Sequence, residues 1–223
     1  MSASAGPDLI TDGLVLYLDA ADPKSYNGSG TTWFDRSGGN YNGNLIGTVY
    51  TDDSFYFNIN LNSSCAGIVS YGDSFTVEII FKLRSLNSVA NGGTLIASSP
   101  AANLYYPIWI SNENNKIKIR AYSSSTANFL YTTNQDIEID KWYHITQTAT
   151  RNSTTSLYIN GEFDLNEASG PQLPNDYYTI GDLRVGRNLD CDADIAIVRI
   201  YNKELNSSEI QQNYNALKGR FEL

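Results

Sequence analysis

The sequence predicts an all-β fold in which two antiparallel sheets pack face to face and a short helix ends the chain. Three observations lead to this expectation: most hydrophobic segments alternate apolar and polar residues, Asn-, Gly- and Ser-rich turns recur about every ten residues, and only the last segment has helical periodicity. The 223 residues show no linker, repeat or low-complexity run. We therefore expect one domain over residues 12–223, preceded by an N-terminal arm over residues 1–11.

Two segments show most clearly the alternation of half-buried strands. In FTVEIIFKLR, the odd-numbered positions from Phe75 are apolar and the others are polar, with Ile80 as the exception. KIKIRAY, from Lys116, alternates in the same way. LVLYLD (14–19) and IAIVRIYN (195–202) are more uniformly apolar, which is typical of central strands.

The segment SLYINGEFDL predicts a β-hairpin. Asn160 and Gly161 are the residue types that a two-residue type I′ turn requires, because both positions have positive φ.

The segment LNSSEIQQNYNALKG predicts the helix. Asn206 or Ser207 is placed as its cap, with Glu209 in the position of a capping box. Gly219 is placed to end the helix. One apolar stripe is expected from Ile210, Tyr214 and Leu217.

The composition of the chain limits the classes of partner that the protein is expected to bind. The formal net charge is −9 and the pI is about 4.5, whereas a nucleic-acid-binding domain carries a basic face. No apolar run approaches the roughly 18 residues of a membrane span, and the first residues lack the pattern of a secretion signal. We expect neither nucleic-acid binding nor membrane insertion, and a protein made in a cytoplasm. Cys65 and Cys191 are then expected to be buried free thiols, with a disulfide as the alternative.

Several motifs occur in an order that resembles a known superfamily. GLVLYLDAADPKSYNGSGTTWFDRSGGNYNGNL opens the chain, and SFTVEIIFK, KWYHITQT, SLYINGEF and IAIVRIYNKELNSSEIQQNYNALKGRF follow. Together, over roughly Asp12 to Phe221, they resemble the laminin-G-like, concanavalin A-like lectin/glucanase superfamily. The opening and the QNYNALKGRF ending resemble in particular the versions found in structural proteins of tailed bacteriophages. The resemblance implies a two-sheet antiparallel jelly roll, with a concave face that relatives use for glycans or protein partners.

The stretch TTWFDRSGGNYNG allows two interpretations. Calcium binds six to eight oxygen ligands, and the loop after Asp35 is rich in amide and carbonyl oxygens. The resemblance implies a structural calcium here, and where relatives have an acid in the last strand this chain has Ala196, so neighbouring acids would have to replace it. The predicted metal ligands are Asp19, Asp35, Asn40 and Asp194. Alternatively, Asp35 only fixes a turn through hydrogen bonds, above a core anchor at Trp33.

Aromatic residues beside Asn-rich loops are the predicted glycan contacts, because sugars stack on aromatic faces and bind amide groups. Packing in the core is the alternative fate of these rings. The predicted contacts are Tyr105, Tyr106, Trp109, Tyr177 and Tyr178.

The sequence does not predict an enzyme. Glycoside hydrolases of the same superfamily place E-x-D-x-x-E on one strand, since hydrolysis needs two carboxylates across the glycosidic bond. The nearest match has Glu138 and Asp140, but Tyr143 occupies the third position, and Glu78 stands alone in its strand. His144, the only histidine, lacks the partners of a triad or metal site.

The resemblance to phage structural proteins implies a non-enzymatic virion structural accessory protein, decorating a phage head, neck or tail, with glycans as further ligands. Its partners would be other virion structural proteins, and homo-oligomers stay open. The alternative is a calcium-assisted carbohydrate-binding module that aids adsorption to a host surface, and a glycoside hydrolase is the third hypothesis.

Overall fold

The computed structural model describes residues 7–46, 49–51, 56–59, 64–70, 73–86, 93–98, 105–113, 116–123, 128–150, 153–167, 179–185 and 191–223. Sixteen strands and one helix lie within these residues. The strands are β1 Leu14–Asp19, β2 Thr32–Trp33, β3 Gly43–Ile46, β4 Val49–Thr51, β5 Tyr56–Ile59, β6 Ser64–Ser70, β7 Ser74–Leu86, β8 Gly93–Ser98, β9 Tyr105–Glu113, β10 Lys116–Ser123, β11 Asn128–Thr132, β12 Trp142–Thr150, β13 Thr155–Ile159, β14 Glu162–Glu167, β15 Thr179–Val185 and β16 Cys191–Tyr201, and the helix is α1 Ser207–Phe221.

The strands form two antiparallel sheets. Sheet A has the order β14-β13-β12-β7-β16-β5-β4, and sheet B has the order β11-β10-β9-β8-β15-β6-β3-β2. In sheet A, β16 has β7 on one side and shares its other side between β5, at residues 193–195, and β1, at residues 197–201. The expected two-sheet sandwich with a short terminal helix is confirmed.

The main core lies between the two sheets. Phe75 and the alternate apolar positions of β7 are buried there, together with Trp33, Ile108 and Ile119 from sheet B. Trp33, which precedes the loop after Asp35, is fully buried, in agreement with its expected role as a core anchor. Each half-apolar strand thus contributes one face to a shared layer, as the alternation predicted.

The helix explains why Ile80 breaks the alternation of β7. Ile80 lies on the outer face of sheet A and packs with Ile197, Leu217 and Phe221 in a second hydrophobic cluster. Both faces of the centre of sheet A are covered, and the uniformly apolar sequence of β16 has the same cause.

The helix begins as predicted but ends later. Asn206 is the N-cap, and the capping box with Glu209 is present. The prediction that Gly219 ends the helix is wrong: the helix continues to Phe221, and Glu222 adopts the left-handed C-cap conformation with φ 55°. The buried ring of Phe221 holds the last turn on the sheet, so tertiary packing outweighs the local stop signal. Among the described residues, no helix has the length and apolarity that crossing a membrane would require.

Candidate functional site

The tip of the β13–β14 hairpin packs directly against α1. Asn160 and Gly161 have φ values of 52° and 77°, which confirms the predicted turn with two left-handed residues. A Cβ atom on Gly161 would lie 2.9 Å from Cγ of Tyr214, so only glycine allows this approach. The turn and the helix therefore form a fixed corner on the outer side of sheet A.

A groove of about 620 Å³ opens along this corner, and we call it the helix–hairpin groove. One wall is the hairpin, the other wall is the first half of α1, and the N-terminal segment closes one end. The groove is lined by Pro7, Tyr158, Gly161, Glu162, Phe163, Ser207, Ser208, Gln211, Gln212 and Asn215.

Two aromatic rings form the hairpin wall. Phe163 lies opposite Tyr158 in the register of the hairpin, and their rings meet edge to face with centroids 5.6 Å apart. Phe163 is 56 % exposed, although a large apolar side chain loses free energy by contact with water. Partial burial, and the charge of Glu204, raise the pKa of the Tyr158 hydroxyl. The result is an aromatic surface that a ligand can cover.

Amide side chains form the helix wall. Gln212 Nε2 donates a hydrogen bond to the backbone oxygen of Asp8, which ties the N-terminal segment to the helix. The amides of Gln211 and Asn215 take no part in the hydrogen bonds among the described residues, although both line the groove. Each amide has two donors and an acceptor available to a ligand.

A buried polar layer fixes the helix wall in place. Asn213 Nδ2 donates to both carboxylate oxygens of Glu78, at 3.1 and 3.2 Å, and lies 3.0 Å from the hydroxyl of Tyr201. Arg199 Nε lies 3.1 Å from the same carboxylate, and His144 Nε2 lies 3.5 Å from it. The side chains of Glu78, Arg199 and His144 are fully buried. They act as structural groups beneath α1.

The electrostatics of this layer favour an ionised Glu78. Burial alone raises the pKa of the carboxyl group, but Arg199, His144 and Asn213 outweigh burial and lower the pKa to about 2. A carboxylate that is both ionised and inaccessible cannot act as a general acid or reach a substrate.

The structure places Asp35 in a dense set of hydrogen bonds. Its carboxylate accepts from the backbone N–H groups of Tyr17, Ser37 and Tyr41, at 2.8–3.1 Å, and from the Ser37 hydroxyl, at 2.8 Å. These contacts are those of the turn interpretation, because they join the loop to β1 without any other ligand. Calcium binding at this loop stays a prediction.

The other predicted metal ligands have separate partners. Asp19 accepts two hydrogen bonds from the guanidinium of Arg220, each 2.9 Å long, and Asp194 lies 2.6 Å from Arg84 Nε. Asn40 is exposed in the left-handed conformation, with φ 59°. The part of the chain that the structure describes contains no group of three or more His, Cys, Asp or Glu side chains arranged to hold a metal.

The predicted glycan contacts lie elsewhere in the molecule. Trp109 is half-buried on β9 of sheet B, between the core residues Ile108 and Ile110. Tyr105 and Tyr106 lie on the same strand, but their side chains are outside the described part, and residues 177 and 178 are outside it altogether. The sequence therefore did not identify the helix–hairpin groove. Its one usable signal was Phe163, since the hairpin register places that ring beside Tyr158 on the polar face.

The acids of the hydrolase hypothesis are also separate from the groove. Glu138 and Asp140 are exposed and form ion pairs with Lys141 and Arg84, respectively. Neither acid lines the groove.

Solved structures with the same fold include several toxin binding domains. The binding domain of botulinum neurotoxin DC in complex with SialylT is 19 % identical, with a TM-score of 0.68, over 93 % of this chain and 52 % of that one. The binding domain of Paraclostridial Mosquitocidal Protein 1 is 20 % identical, with a TM-score of 0.62, over 92 % and 52 %. A Trypanosoma rangeli sialidase mutant with trans-sialidase activity is 18 % identical, with a TM-score of 0.67, over 98 % and 36 %. The chain thus spans between about a third and about half of these proteins, and the likeness establishes the fold alone.

The sequence itself matches no curated protein sequence significantly. It does match a laminin G-like family model, described as the concanavalin A-like lectin/glucanases superfamily, over residues 58–211. This match covers more than half of the 223 residues and includes the hairpin and the start of α1. The chain is therefore a member of the concanavalin A-like lectin/glucanases superfamily.

Proposed function

We propose that this domain is a non-enzymatic binding module whose ligands are glycans. The observation that carries the proposal is the helix–hairpin groove, which is lined by the exposed ring of Phe163 and by Gln211 and Asn215, whose amides form no hydrogen bond among the described residues. Membership of a superfamily that contains lectins supports it.

The two walls match the two sides of a sugar. A pyranose ring has an apolar face of C–H groups, which would cover Phe163 and remove that ring from water. Its hydroxyl groups both donate and accept, as amide side chains do, so Gln211 and Asn215 can bind one sugar from the opposite wall. Shallow sites of this kind combine an apolar surface with a few polar groups that set orientation.

The acids of the described residues support the non-enzymatic part of the proposal. Glycoside hydrolysis needs two carboxylates flanking the bond. Glu162 is the one acid among the residues that line the groove, and Glu78 is buried against Arg199.

Titration of immobilised glycans with purified protein, followed by calorimetry on the strongest ligand, tests the proposal. Phe163→Ala should weaken binding about fivefold, because stacking on an aromatic ring contributes on the order of 1 kcal/mol and tenfold corresponds to about 1.4 kcal/mol. Phe34→Ala is the matched control, since Phe34 is a similarly exposed ring that does not line the groove. Trp109→Ala tests the site predicted from the sequence. Loss of binding in Trp109→Ala with retention in Phe163→Ala would place the site on sheet B and refute the groove.

We further propose that the module is carried on a phage particle as a structural accessory. The support is the resemblance of the opening and of QNYNALKGRF to phage structural proteins, and these two segments are in contact through Asp19 and Arg220. Mass spectrometry of purified particles should find the chain in a fixed ratio to the capsid or tail proteins. Its absence from particles, while it is present in the lysate, would contradict this role.

A further inference from the structure

We propose that the helix–hairpin groove selects neutral glycans and rejects those that end in sialic acid or carry other anionic groups. The inference rests on the proposed function and names the ligand class of that same site. It follows from the charges of the groove walls.

The lining carries one charge, and that charge is negative. Of the ten described residues that line the groove, none is Lys, Arg or His, and Glu162 is the one carboxylic acid. The Glu162 side chain is exposed and has no ion-pair partner among the described residues. A bound carboxylate would therefore meet repulsion from Glu162 without a cation to compensate for its lost hydration.

Lys203, a cation that contacts the first turn of α1 through Glu209, is already neutralised. Lys203 Nζ lies 2.6 Å from Asp12 and 2.9 Å from Glu209, so two acids share its single charge. Glu204, next along the chain, is close enough to Tyr158 of the lining for its negative charge to raise the pKa of the Tyr158 hydroxyl. The surroundings of the groove thus add to its acidic character.

The capping box of α1 weakens the helix N-terminus as a site for anions. Asn206 Oδ1 accepts hydrogen bonds from the N–H groups of Ser208 and Glu209, at 2.9 and 3.0 Å, and the Glu209 carboxylate accepts from the N–H group of Asn206. Two of the three N–H groups at the helix start that lack a helical partner, those of Ser208 and Glu209, are therefore satisfied by the capping box, and Glu209 adds a negative charge to the first turn. Ser207 and Ser208 offer the groove neutral hydroxyl groups.

The net charge of the whole chain is negative, as is the charge of the groove lining. A net charge of −9 disfavours approach of anionic ligands, although salt limits this effect to about 8 Å at physiological ionic strength. Discrimination that persists at 1 M salt, where the screening length is about 3 Å, must therefore come from charges in contact with the ligand and not from the net charge of the chain.

The test uses oligosaccharides in pairs, each neutral chain beside its sialylated form, with affinities measured at about 0.15 M and 1 M salt. At the lower salt concentration the wild type should bind the neutral member about fivefold more tightly, since a like-charge contact of this kind is worth on the order of 1 kcal/mol. Glu162→Gln should reduce the discrimination severalfold while binding to the neutral member is retained. Glu222→Gln is the control, because Glu222 caps the opposite end of α1.

The outcomes separate this inference from the proposed function. Equal or tighter binding of the sialylated members, still abolished by Phe163→Ala, would overturn neutral selectivity and leave glycan binding in the groove intact. Discrimination that Glu162→Gln does not change would also overturn the inference. Failure of the wild type to bind any member would refute the proposed function, and the inference with it.

Discussion

Glu78 and Arg199 form an ion pair in which neither side chain has any exposure to solvent, with 3.1 Å between Arg199 Nε and a carboxylate oxygen of Glu78. The pair lies beneath α1, where Asn213 of the helix completes it. The position of the helix, and with it one wall of the groove, therefore depends on a charge pair inside the protein.

Removal of one member of this pair should be costly. Arg199→Leu leaves a buried carboxylate without its counter-charge, so we expect the free energy of unfolding to fall by about 3–5 kcal/mol in urea denaturation. Arg36→Leu, which breaks the partly exposed pair with Asp22, should cost less than about 1 kcal/mol. Similar losses of unfolding free energy for both variants would show that burial does not make the Glu78–Arg199 pair more important for stability than an exposed pair.

Acid should destabilise the protein through Glu78. Its pKa is lowered to about 2 in the folded state from 4.5, so its contribution to stability is fully present above pH 4.5 and is lost as the pH falls towards 2. The loss amounts to roughly 3 kcal/mol for this group. Glu78→Gln should be less stable at neutral pH and should lose less additional stability between pH 4.5 and 2 than the wild type does. If the unfolding free energies of the wild type and of Glu78→Gln fell in parallel over this pH range, the acid destabilisation could not be assigned to Glu78.

Because Gly161 lies so close to Tyr214, substitution of Gly161 should lower the free energy of unfolding by more than backbone strain alone would. Gly161→Ala places a methyl group 2.9 Å from Tyr214 Cγ in a residue with positive φ. Gly28→Ala has the same strain, with φ 89°, but nothing lies within 4 Å. We expect about 1–2 kcal/mol for Gly28→Ala and about 1–3 kcal/mol more for Gly161→Ala. In addition, Gly161→Ala alone should weaken glycan binding, because it displaces the hairpin from the helix. Equal costs would mean that the turn has room to move.

Substitution of Asp35 distinguishes the two interpretations of its loop, a calcium site and a turn fixed by hydrogen bonds. Asp35→Ala removes the acceptor of three backbone N–H groups, so unfolding free energy should fall by at least about 2 kcal/mol. If hydrogen bonds alone fix the loop, the loss is the same in calcium and in EDTA. The alternative that we propose is calcium binding at this loop. In that case the wild-type unfolding midpoint should rise with calcium, and Asp35→Ala should abolish the rise. Asp12→Ala is the control, since Asp12 is exposed at the surface.

The sequence was informative wherever one residue's environment follows from its neighbours. Alternation from Phe75 and the Asn160-Gly161 pair led to the core face of β7 and to the hairpin turn, because both are local patterns. Ile80 and Gly219 were harder, since their environments depend on where α1 lies on the sheet. The groove could not be predicted, because Phe163 and Gln211 are far apart in sequence and meet only through tertiary packing.

The place of β16 in sheet A has a consequence for how the chain folds during synthesis. This strand lies between β7 and the pair β5 and β1, yet it is the last strand in the sequence. Until Tyr201 has left the ribosome, β1 lacks its partner, and β7 presents an unpaired edge that can associate with other nascent chains. Sheet A can therefore close only late in synthesis, and we expect folding in the slow range of proteins with mostly long-range contacts.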